Sequence, residues 1–328
     1  MATEEHSTRH HERFIPEEFN FLEKFISYRI NKNIHQHAGV SKPQMPALNK
    51  WNLPVREFVR ENNLNENETI LTLLALAPHV LPDLLDTAIY QSMKNKEGQF
   101  PQLGGVRPEG RNFRGFLPTG ETALFLLGDD DLTKRLEVQK LFWVDHLFGT
   151  KKVLWLEEST HGDPSMSGKI IMSRDHIETF IFGKPVPPPF SVNFPARRIK
   201  TDLIWNDLVI SHELQEQVNE LMTWIKYNTE LMDNYSMRKR LKQGYRVLFY
   251  GPPGTGKTFT ASLLGKYTGK EVEGKYLEKE VYKIDLSMVV SKYIGETEKN
   301  LELLFARAED KGWILFFDEA DALFGKRT

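Results

Sequence analysis

Hydrophobic residues at helical spacing dominate the first half of the chain. Five of them lie on one face of a helix predicted between Pro16 and Ile30, and these are Phe19, Leu22, Phe25, Ile26 and Ile30. A second, mostly helical apolar pattern extends from Glu68 to Ser92 around Pro78 and Pro82. This half of the chain is therefore predicted to be mainly α-helical.

Shorter patterns follow these helices. Residues 101–120 are rich in Gly and Pro and predict a loop, and residues 121–127 predict a helix after it. Residues 153–156 and 169–172 are short apolar runs typical of strands, with a turn predicted at residues 161–164 between them. We therefore expect some short strands in the N-terminal domain.

Prolines mark the clearest boundary in the chain. The segment Lys184–Phe190 contains four prolines. Proline lacks an amide donor and fixes φ, so successive prolines favour an extended connector. We predict a mainly helical N-terminal domain over residues 1–183, a Pro-rich linker over 184–200 and a second domain over 201–328.

Strand and helix patterns alternate after this boundary. Ser211 is the predicted cap of a helix with apolar residues at Leu214, Val218, Leu221, Met222 and Ile225. Strands are predicted at residues 245–250, 281–286 and 313–317, and helices at residues 257–266 and 301–307. This alternation indicates a parallel α/β sheet.

The glycine-rich segment Gly251–Thr258 has the spacing of a complete phosphate-binding loop. Small residues let successive backbone N–H groups converge on phosphate oxygens, and the following helix adds its positive dipole end. Lys257 is the predicted cation for the β- and γ-phosphates, and Thr258 is placed to bind Mg²⁺. ATP contacts are assigned to Gly251, Pro252, Pro253, Gly254, Thr255, Gly256, Lys257, Thr258 and Phe259. The alternative, a glycine-rich turn without a ligand, is disfavoured by the full spacing between a strand and a helix.

Two carboxylates follow the last predicted strand. Asp318 and Glu319 would lie at the carboxyl edge of the sheet, where ligands bind in α/β proteins. Asp318 is the predicted Mg²⁺ ligand, and Glu319 is the predicted catalytic base that polarises the attacking water. The alternative is that the pair caps the next helix, a role that Asp321 could share.

These two motifs and the segment Ser291–Leu301 occur in the order found in AAA+ ATPases, and the chain resembles that family from about Trp205 to Thr328. It is most similar to the AAA subgroup, which includes protein unfoldases and remodellers, in its bacterial form with a long N-terminal extension. The resemblance implies an α/β P-loop NTPase core that hydrolyses ATP with Mg²⁺. It also implies a homo-oligomeric, usually hexameric, ring and a protein substrate or adaptor as partner.

The resemblance assigns further residues to binding. Lys292, Tyr293, Ile294 and Gly295 match the loop that faces the central pore, where an aromatic side chain grips the translocated polypeptide. The alternative is that Tyr293 and Ile294 fill a packing seam between helices. Asp207 and Val209 match the segment that passes the adenine ring, although many relatives have glycine where this chain has Val209.

In the sheet that the resemblance implies, the strands are ordered 5-1-4-3-2, and the fourth follows the Asp-Glu motif. The sequence ends at Thr328, before that strand. We therefore expect an incomplete core from a longer ATPase, which binds nucleotide with little or no hydrolysis. The alternative hypothesis is a short nucleotide-binding or partner-binding module without turnover.

Composition narrows the remaining possibilities. The formal charge of −2 gives no general attraction to nucleic acid or anionic lipid, and the absence of cysteine excludes disulfides. The start of the chain does not have the pattern of a secretory signal, and its longest apolar run is far shorter than the roughly 20 residues of a spanning helix. We predict a cytoplasmic protein without a membrane or nucleic-acid partner. A nucleic-acid surface would instead use the cations and aromatics at Arg107, Arg111, Phe113, Arg114 and Phe116.

Overall fold

The computed structural model describes residues 14–34, 39–93, 101–107, 112–113, 115–159, 162–192, 194–234, 244–272, 275–290, 295–309 and 311–320. These residues form two compact units that divide between Val186 and Pro187. The predicted domain limits stay a prediction. Part of the predicted linker is a strand, because residues 196–199 pair with the sheet of the second unit.

The described part of the first unit is mainly helical, as predicted. Its helices are α1 (Glu17–Asn33), α2 (Val55–Glu61), α3 (Glu66–Val80), α4 (Leu84–Met93), α5 (Gly120–Ala123), α6 (Leu132–Lys140), α7 (Leu147–Thr150) and α8 (Arg174–Phe182). Strands β1 (Leu154–Leu156) and β2 (Ile170–Met172) form the antiparallel pair that the two apolar runs predicted. Helix α5 continues into a π-helical turn at Leu124–Gly128, where a regular helix was predicted.

The core of this unit confirms the helical spacing of the sequence. All five apolar residues predicted for α1 are buried, and α1 packs against α3 and α4. Helix α3 begins with a reciprocal cap in which the Asn65 side chain accepts from the Glu68 amide and the Glu68 carboxylate accepts from the Asn65 amide. Pro78 lies in the last turn of α3, and the helix ends at Val80, because Leu81 precedes Pro82 and has a non-helical backbone.

Helices α3 and α4 are rich in apolar residues. No single described helix is long and apolar enough to cross a membrane, and α3 and α4 reach that composition only as a pair bent by 108°. Ile70 to Ala77 of α3 lie in the core, buried among residues of α1 and α8.

The loop that offered an alternative nucleic-acid surface is occupied by internal contacts. Phe116 is buried and its amide donates to Asp86, while Arg107 forms an ion pair with the same carboxylate. Arg111 and Arg114 lie outside the described residues. Phe116 is therefore unavailable for stacking on a base.

The described part of the second unit contains helices α9 (His212–Asn234), α10 (Lys257–Tyr267), α11 (Leu286–Val289) and α12 (Glu296–Ala308). Its strands are β3 (Ala196–Ile199), β4 (Lys270–Val272), β5 (Lys275–Leu277), β6 (Val281–Ile284) and β7 (Ile314–Phe317). Strands β4 and β5 pair with each other, and the main sheet has the order β3-β6-β7. Strands β6 and β7 are parallel, as predicted, whereas β3 is antiparallel to β6.

The main sheet separates two sets of side chains. Val281 and Phe316 pack with Ala261 of α10 on one face. Tyr282 and Ile284 pack with Phe194 and α11 on the other. Burial raises the pKa of Tyr282 to about 12, with a further rise from the charge of Glu280 that Arg198 partly opposes. Successive side chains of a strand point to opposite faces. A polar residue at the end of β6 or β7 therefore lies on the α10 face only if it is an even number of residues from Val281 or Phe316.

The prediction of a strand at residues 245–250 is wrong. Among the described residues this segment has no strand partner, and Leu248 is 78% exposed. A run of β-type residues forms a strand only where its N–H and C=O groups meet those of a neighbour. Phe249 still packs against the clusters around α9 and α10, so the segment lies beside the sheet without pairing to it.

An ion cluster closes the π-helical turn in the first unit. Asp129 follows that turn with a φ of 54° and accepts from Lys32 at 2.6 Å and from Arg29 at 3.1 Å. Arg29 also donates to the carbonyl of Phe125 within the turn, at 3.0 Å. Burial alone would raise the pKa of Asp129, but the Lys32 hydrogen bond and the Arg29 charge outweigh it and lower the pKa to about 2.

This pKa predicts an acid-sensitive contribution to stability. Because the folded pKa is depressed, the contribution is complete above about pH 4 and is lost as the pH falls towards 2. We expect Asp129→Asn to lower the free energy of unfolding at pH 7 by roughly 1–2 kcal/mol after allowance for solvent screening. Native-state hydrogen exchange of the α1 amides measures this loss of unfolding free energy.

The matched control is Glu137→Gln, which removes an exposed pair with Lys140 on α6. Its effect should stay within about 0.5 kcal/mol. Equal losses in the two variants would show that the Asp129 cluster is no stronger than a surface pair.

Candidate nucleotide-binding site

Residues 251–256 of the predicted phosphate loop lie directly before α10, and Lys257 and Thr258 are the first two residues of that helix. Gly254 and Gly256 have φ values of 82° and 87°, which residues with a side chain rarely adopt. The position of Gly254 is open, with no atom within 4 Å of where a Cβ would stand. Residues 251–255 are exposed, so their backbone is accessible to a ligand.

Lys257 is held by its own loop. Its ammonium group donates to the carbonyls of Gly251 at 3.0 Å and Pro252 at 2.8 Å. Thr255 also donates to the Pro252 carbonyl, at 3.0 Å. The two carbonyls give the ammonium group a local partner that a phosphate would have to replace.

The direction of α10 places its start near the carboxyl ends of the strands. Near the end of α10, the carbonyl of Gly265 accepts from the Lys279 amide at 2.9 Å, just before β6 begins. In the middle of α10, Ala261 packs against Val281 and Phe316. The helix therefore runs antiparallel to β6 and β7, and its N-terminus points to the edge where these strands end. An α-helix of 11 residues is about 16 Å long, comparable to the length of the strands.

Asp318 follows β7 at that edge and is paired with a residue that the sequence analysis missed. Its Oδ2 atom lies 2.6 Å from Nζ of Lys283, which belongs to the neighbouring strand β6. Its Oδ1 atom accepts from the Glu319 amide at 3.2 Å. Both carboxylate oxygens of the predicted metal ligand thus have protein partners.

Glu319 occupies an unusual backbone conformation. Its φ is 52°, a value that costs a non-glycine residue roughly 1–2 kcal/mol. Its side chain is exposed. A turn directly after β7 gives Glu319 this conformation, and its amide faces the carboxylate of Asp318. The alternative role of the pair as a helix cap stays a prediction, since Asp321 lies outside the described residues.

The predicted adenine segment forms a short 3₁₀ helix at Trp205–Asp207. Asp207 accepts from the amide of Ile204 at 2.8 Å, so its carboxylate closes a local turn. Val209 is 94% exposed. Leu208, which was not predicted as a site residue, approaches the loop: its Cδ1 atom would lie 2.9 Å from a Cβ on Gly256.

Three of the four predicted pore residues, Lys292, Tyr293 and Ile294, lie outside the described residues. Gly295 is described and precedes α12 with a φ of 82°. Phe259, in the first turn of α10, is half-buried. The assignments of these residues to ligand or substrate stay predictions.

The available donors fit Mg²⁺ held together with phosphates. No described group of three or more His, Asp or Glu side chains could hold a metal ion by itself. Mg²⁺ in nucleotide sites commonly takes only one or two protein oxygens, together with water and phosphate oxygens. The hydroxyl of Thr258 at the start of α10 and the carboxylate of Asp318 are oxygen donors of this kind.

A phosphate loop that opens a helix, with that helix packed on parallel strands ending in a carboxylate, defines a P-loop nucleotide-binding protein. Residues 247–328 match the sequence model of the ATPase family associated with various cellular activities, abbreviated AAA. This match shows that residues 247–328, in the second unit, are similar in sequence to the AAA ATPase family.

The relatives share only part of their length with this chain. It is 31% identical over 134 residues to a proteasome-associated ATPase of Acidimicrobium ferrooxidans, a match that covers 38% of this chain and 22% of the relative. The corresponding protein of Acidothermus cellulolyticus is 41% identical over 97 residues, which cover 27% of this chain and 17% of the relative. The corresponding protein of Mycolicibacterium vanbaalenii is 34% identical over 137 residues, which cover 38% of this chain and 22% of the relative. The chain therefore matches about a fifth of the length of these relatives, and no solved structure matches it significantly.

The approach of α10 to β6 gives a testable consequence at Gly265. A Cβ atom there would lie 2.2 Å from Val281 Cγ2 and 2.7 Å from the Lys279 carbonyl oxygen. Helix propensity alone predicts that Gly265→Ala stabilises the unit by about 1 kcal/mol. We expect the opposite sign, a loss of roughly 1–3 kcal/mol from overpacking, measured by hydrogen exchange of the α10 and β6 amides.

Thr223→Ala on the exposed face of α9 is the control for propensity. It should be neutral or slightly stabilising. A stabilising Gly265→Ala would contradict the close packing of α10 on β6.

Proposed function

We propose that this chain binds ATP with Mg²⁺ at residues 251–258, and that the protein to which this site belongs hydrolyses ATP to remodel or unfold protein substrates. One observation carries the nucleotide part: the packing of α10 directs the end that follows the phosphate loop towards the strand edge bearing Asp318. Loop, helix start and carboxylate would then act on one triphosphate.

The residues have distinct roles in this proposal. Backbone amides of the loop and the N-terminus of α10 bind the phosphates, and Lys257 exchanges its two carbonyl partners for phosphate oxygens. Thr258 and Asp318 would hold Mg²⁺, which when bound neutralises charge that develops on the phosphates. Glu319 accepts a proton from the attacking water.

The protein-remodelling part rests on the relatives and on the resemblance. The curated relatives are named proteasome-associated ATPases, which supports a protein substrate and a proteasome-like partner. In this proposal the subunits form a homo-oligomeric ring, and Tyr293 and Ile294 contact the polypeptide in its pore. The N-terminal unit recruits the substrate or its adaptor, and Asp207 and Val209 lie near the adenine.

Replacement of Lys257 tests nucleotide binding. Lys257→Ala removes the ammonium group that pairs with the β- and γ-phosphates, and we expect affinity for ATP with Mg²⁺ to fall at least about tenfold. Isothermal titration of the full chain measures it. Lys226→Ala, on the exposed part of α9, carries the same change of charge and should leave affinity unchanged. Equal affinities for wild type and Lys257→Ala would contradict the assignment of the loop.

Replacement of Glu319 separates binding from hydrolysis. Glu319→Gln keeps the size of the side chain and removes the base, so ATP affinity should stay within about twofold while any turnover falls by roughly 10²–10⁴. Phosphate release under single-turnover conditions measures the rate. A wild-type chain that binds ATP without releasing phosphate is the result expected both of an incomplete core and of a binding module. An undiminished rate of phosphate release in Glu319→Gln would remove this residue from the mechanism.

A further inference from the structure

Lys283 lies where it can control access to the predicted metal ligand. In the parallel pair, Lys283 stands opposite Phe316 of β7. Alternate residues of a strand share one face, so Phe316 and Asp318 lie on the same side as Lys283. Phe316 packs against Ala261, which identifies this side as the face covered by α10.

The register of β6 and β7 thus places Lys283 on the sheet face that α10 covers. On this face its side chain forms an ion pair with Asp318. The Lys283 ammonium lies 2.6 Å from Asp318 Oδ2. The other oxygen of Asp318 accepts from the Glu319 amide. A cation that binds Asp318 through Oδ2 must displace the ammonium group.

We propose that Lys283 is a positioning residue that holds the Asp318 carboxylate at the sheet edge and competes with Mg²⁺ for it. This inference rests on the proposed function, because it assigns a regulator to the same nucleotide site. Before Mg-nucleotide binds, the positive charge of Lys283 compensates the negative charge of Asp318. Its release is a part of metal binding, so it raises the Mg²⁺ concentration that the site requires.

The solvent exposure of Lys283 and Asp318 determines how strongly Lys283 raises the Mg²⁺ concentration that the site requires. The side chains of Lys283 and Asp318 are 43% and 32% exposed. Partly solvated ion pairs are weak, and a divalent cation can displace such a partner at moderate cost. We therefore expect Lys283 to raise the half-saturating Mg²⁺ concentration by about two- to fivefold.

The test is a Mg²⁺ titration of the full chain at a fixed, subsaturating concentration of a fluorescent ATP analogue. Lys283→Met keeps most of the length of the side chain and removes its charge. It should lower the half-saturating Mg²⁺ concentration by about two- to fivefold, while nucleotide affinity in EDTA changes less than about twofold. Lys283→Arg restores the positive charge and should return the value to that of wild type.

Lys200→Met is the matched control, since Lys200 is an exposed lysine directly after β3 in the same unit. It should leave the Mg²⁺ requirement unchanged, and circular dichroism should show all variants folded. An unchanged or higher Mg²⁺ requirement in Lys283→Met, with Mg²⁺-dependent binding by wild type, overturns this inference alone. Absence of nucleotide binding by wild type at every Mg²⁺ concentration overturns the proposed function, and this inference with it.

Discussion

The close packing of α10 on β6 is the contact on which the candidate site depends. Gly265 permits it, because any side chain there would meet Val281 and the Lys279 carbonyl. Gly265 lies near the C-terminal end of α10, and Ala261 keeps the middle of the helix against β6 and β7. The N-terminal end of α10 is therefore directed to the carboxyl edge of the sheet. Apolar packing remote from the ligand thus decides where the polar groups lie.

Local sequence patterns predicted the elements of this arrangement well. The spacing of Gly251–Thr258 predicted the loop and the start of α10, and the apolar runs predicted β6 and β7. These features depend on residues close together in the chain. The strand predicted at residues 245–250 is wrong because a strand also requires a partner, which composition does not supply. The antiparallel pairing of β3 was likewise invisible, because its short segment follows a proline-rich stretch that indicates an extended connector.

The contacts within the site depend on register and were beyond sequence reasoning. Lys283 and Asp318 are 35 residues apart, and only the pairing of β6 with β7 brings their charges together. Leu208 approaches Gly256 across a separation of 48 residues in the sequence. The roles of the loop and of Asp318 are predictions from motif spacing, and the structure adds the partners that these groups have without a ligand. Lys257 is satisfied by two carbonyls and Asp318 by an ammonium group and an amide. Binding of Mg-nucleotide would therefore exchange one set of charge pairs for another, and its net free energy is the difference between two favourable sets.

The described residues of the first unit use their buried charges differently. The buried carboxylate of Glu18 accepts from the amides of Asn52 and Leu53, and Arg29 binds Asp129 and the Phe125 carbonyl. The Glu18 carboxylate is thus bound to backbone amides, and Arg29 is paired with a carboxylate and a backbone carbonyl, while its Nε atom is buried without a hydrogen-bond partner. Several large apolar side chains of the same unit are exposed instead, among them Leu132, Trp143 and Val144. Large apolar side chains are exposed in the second unit as well, among them Val209, Leu248 and Tyr250, so their exposure does not by itself assign a partner to the first unit. The assignment of the first unit to binding of a substrate or adaptor therefore stays a prediction.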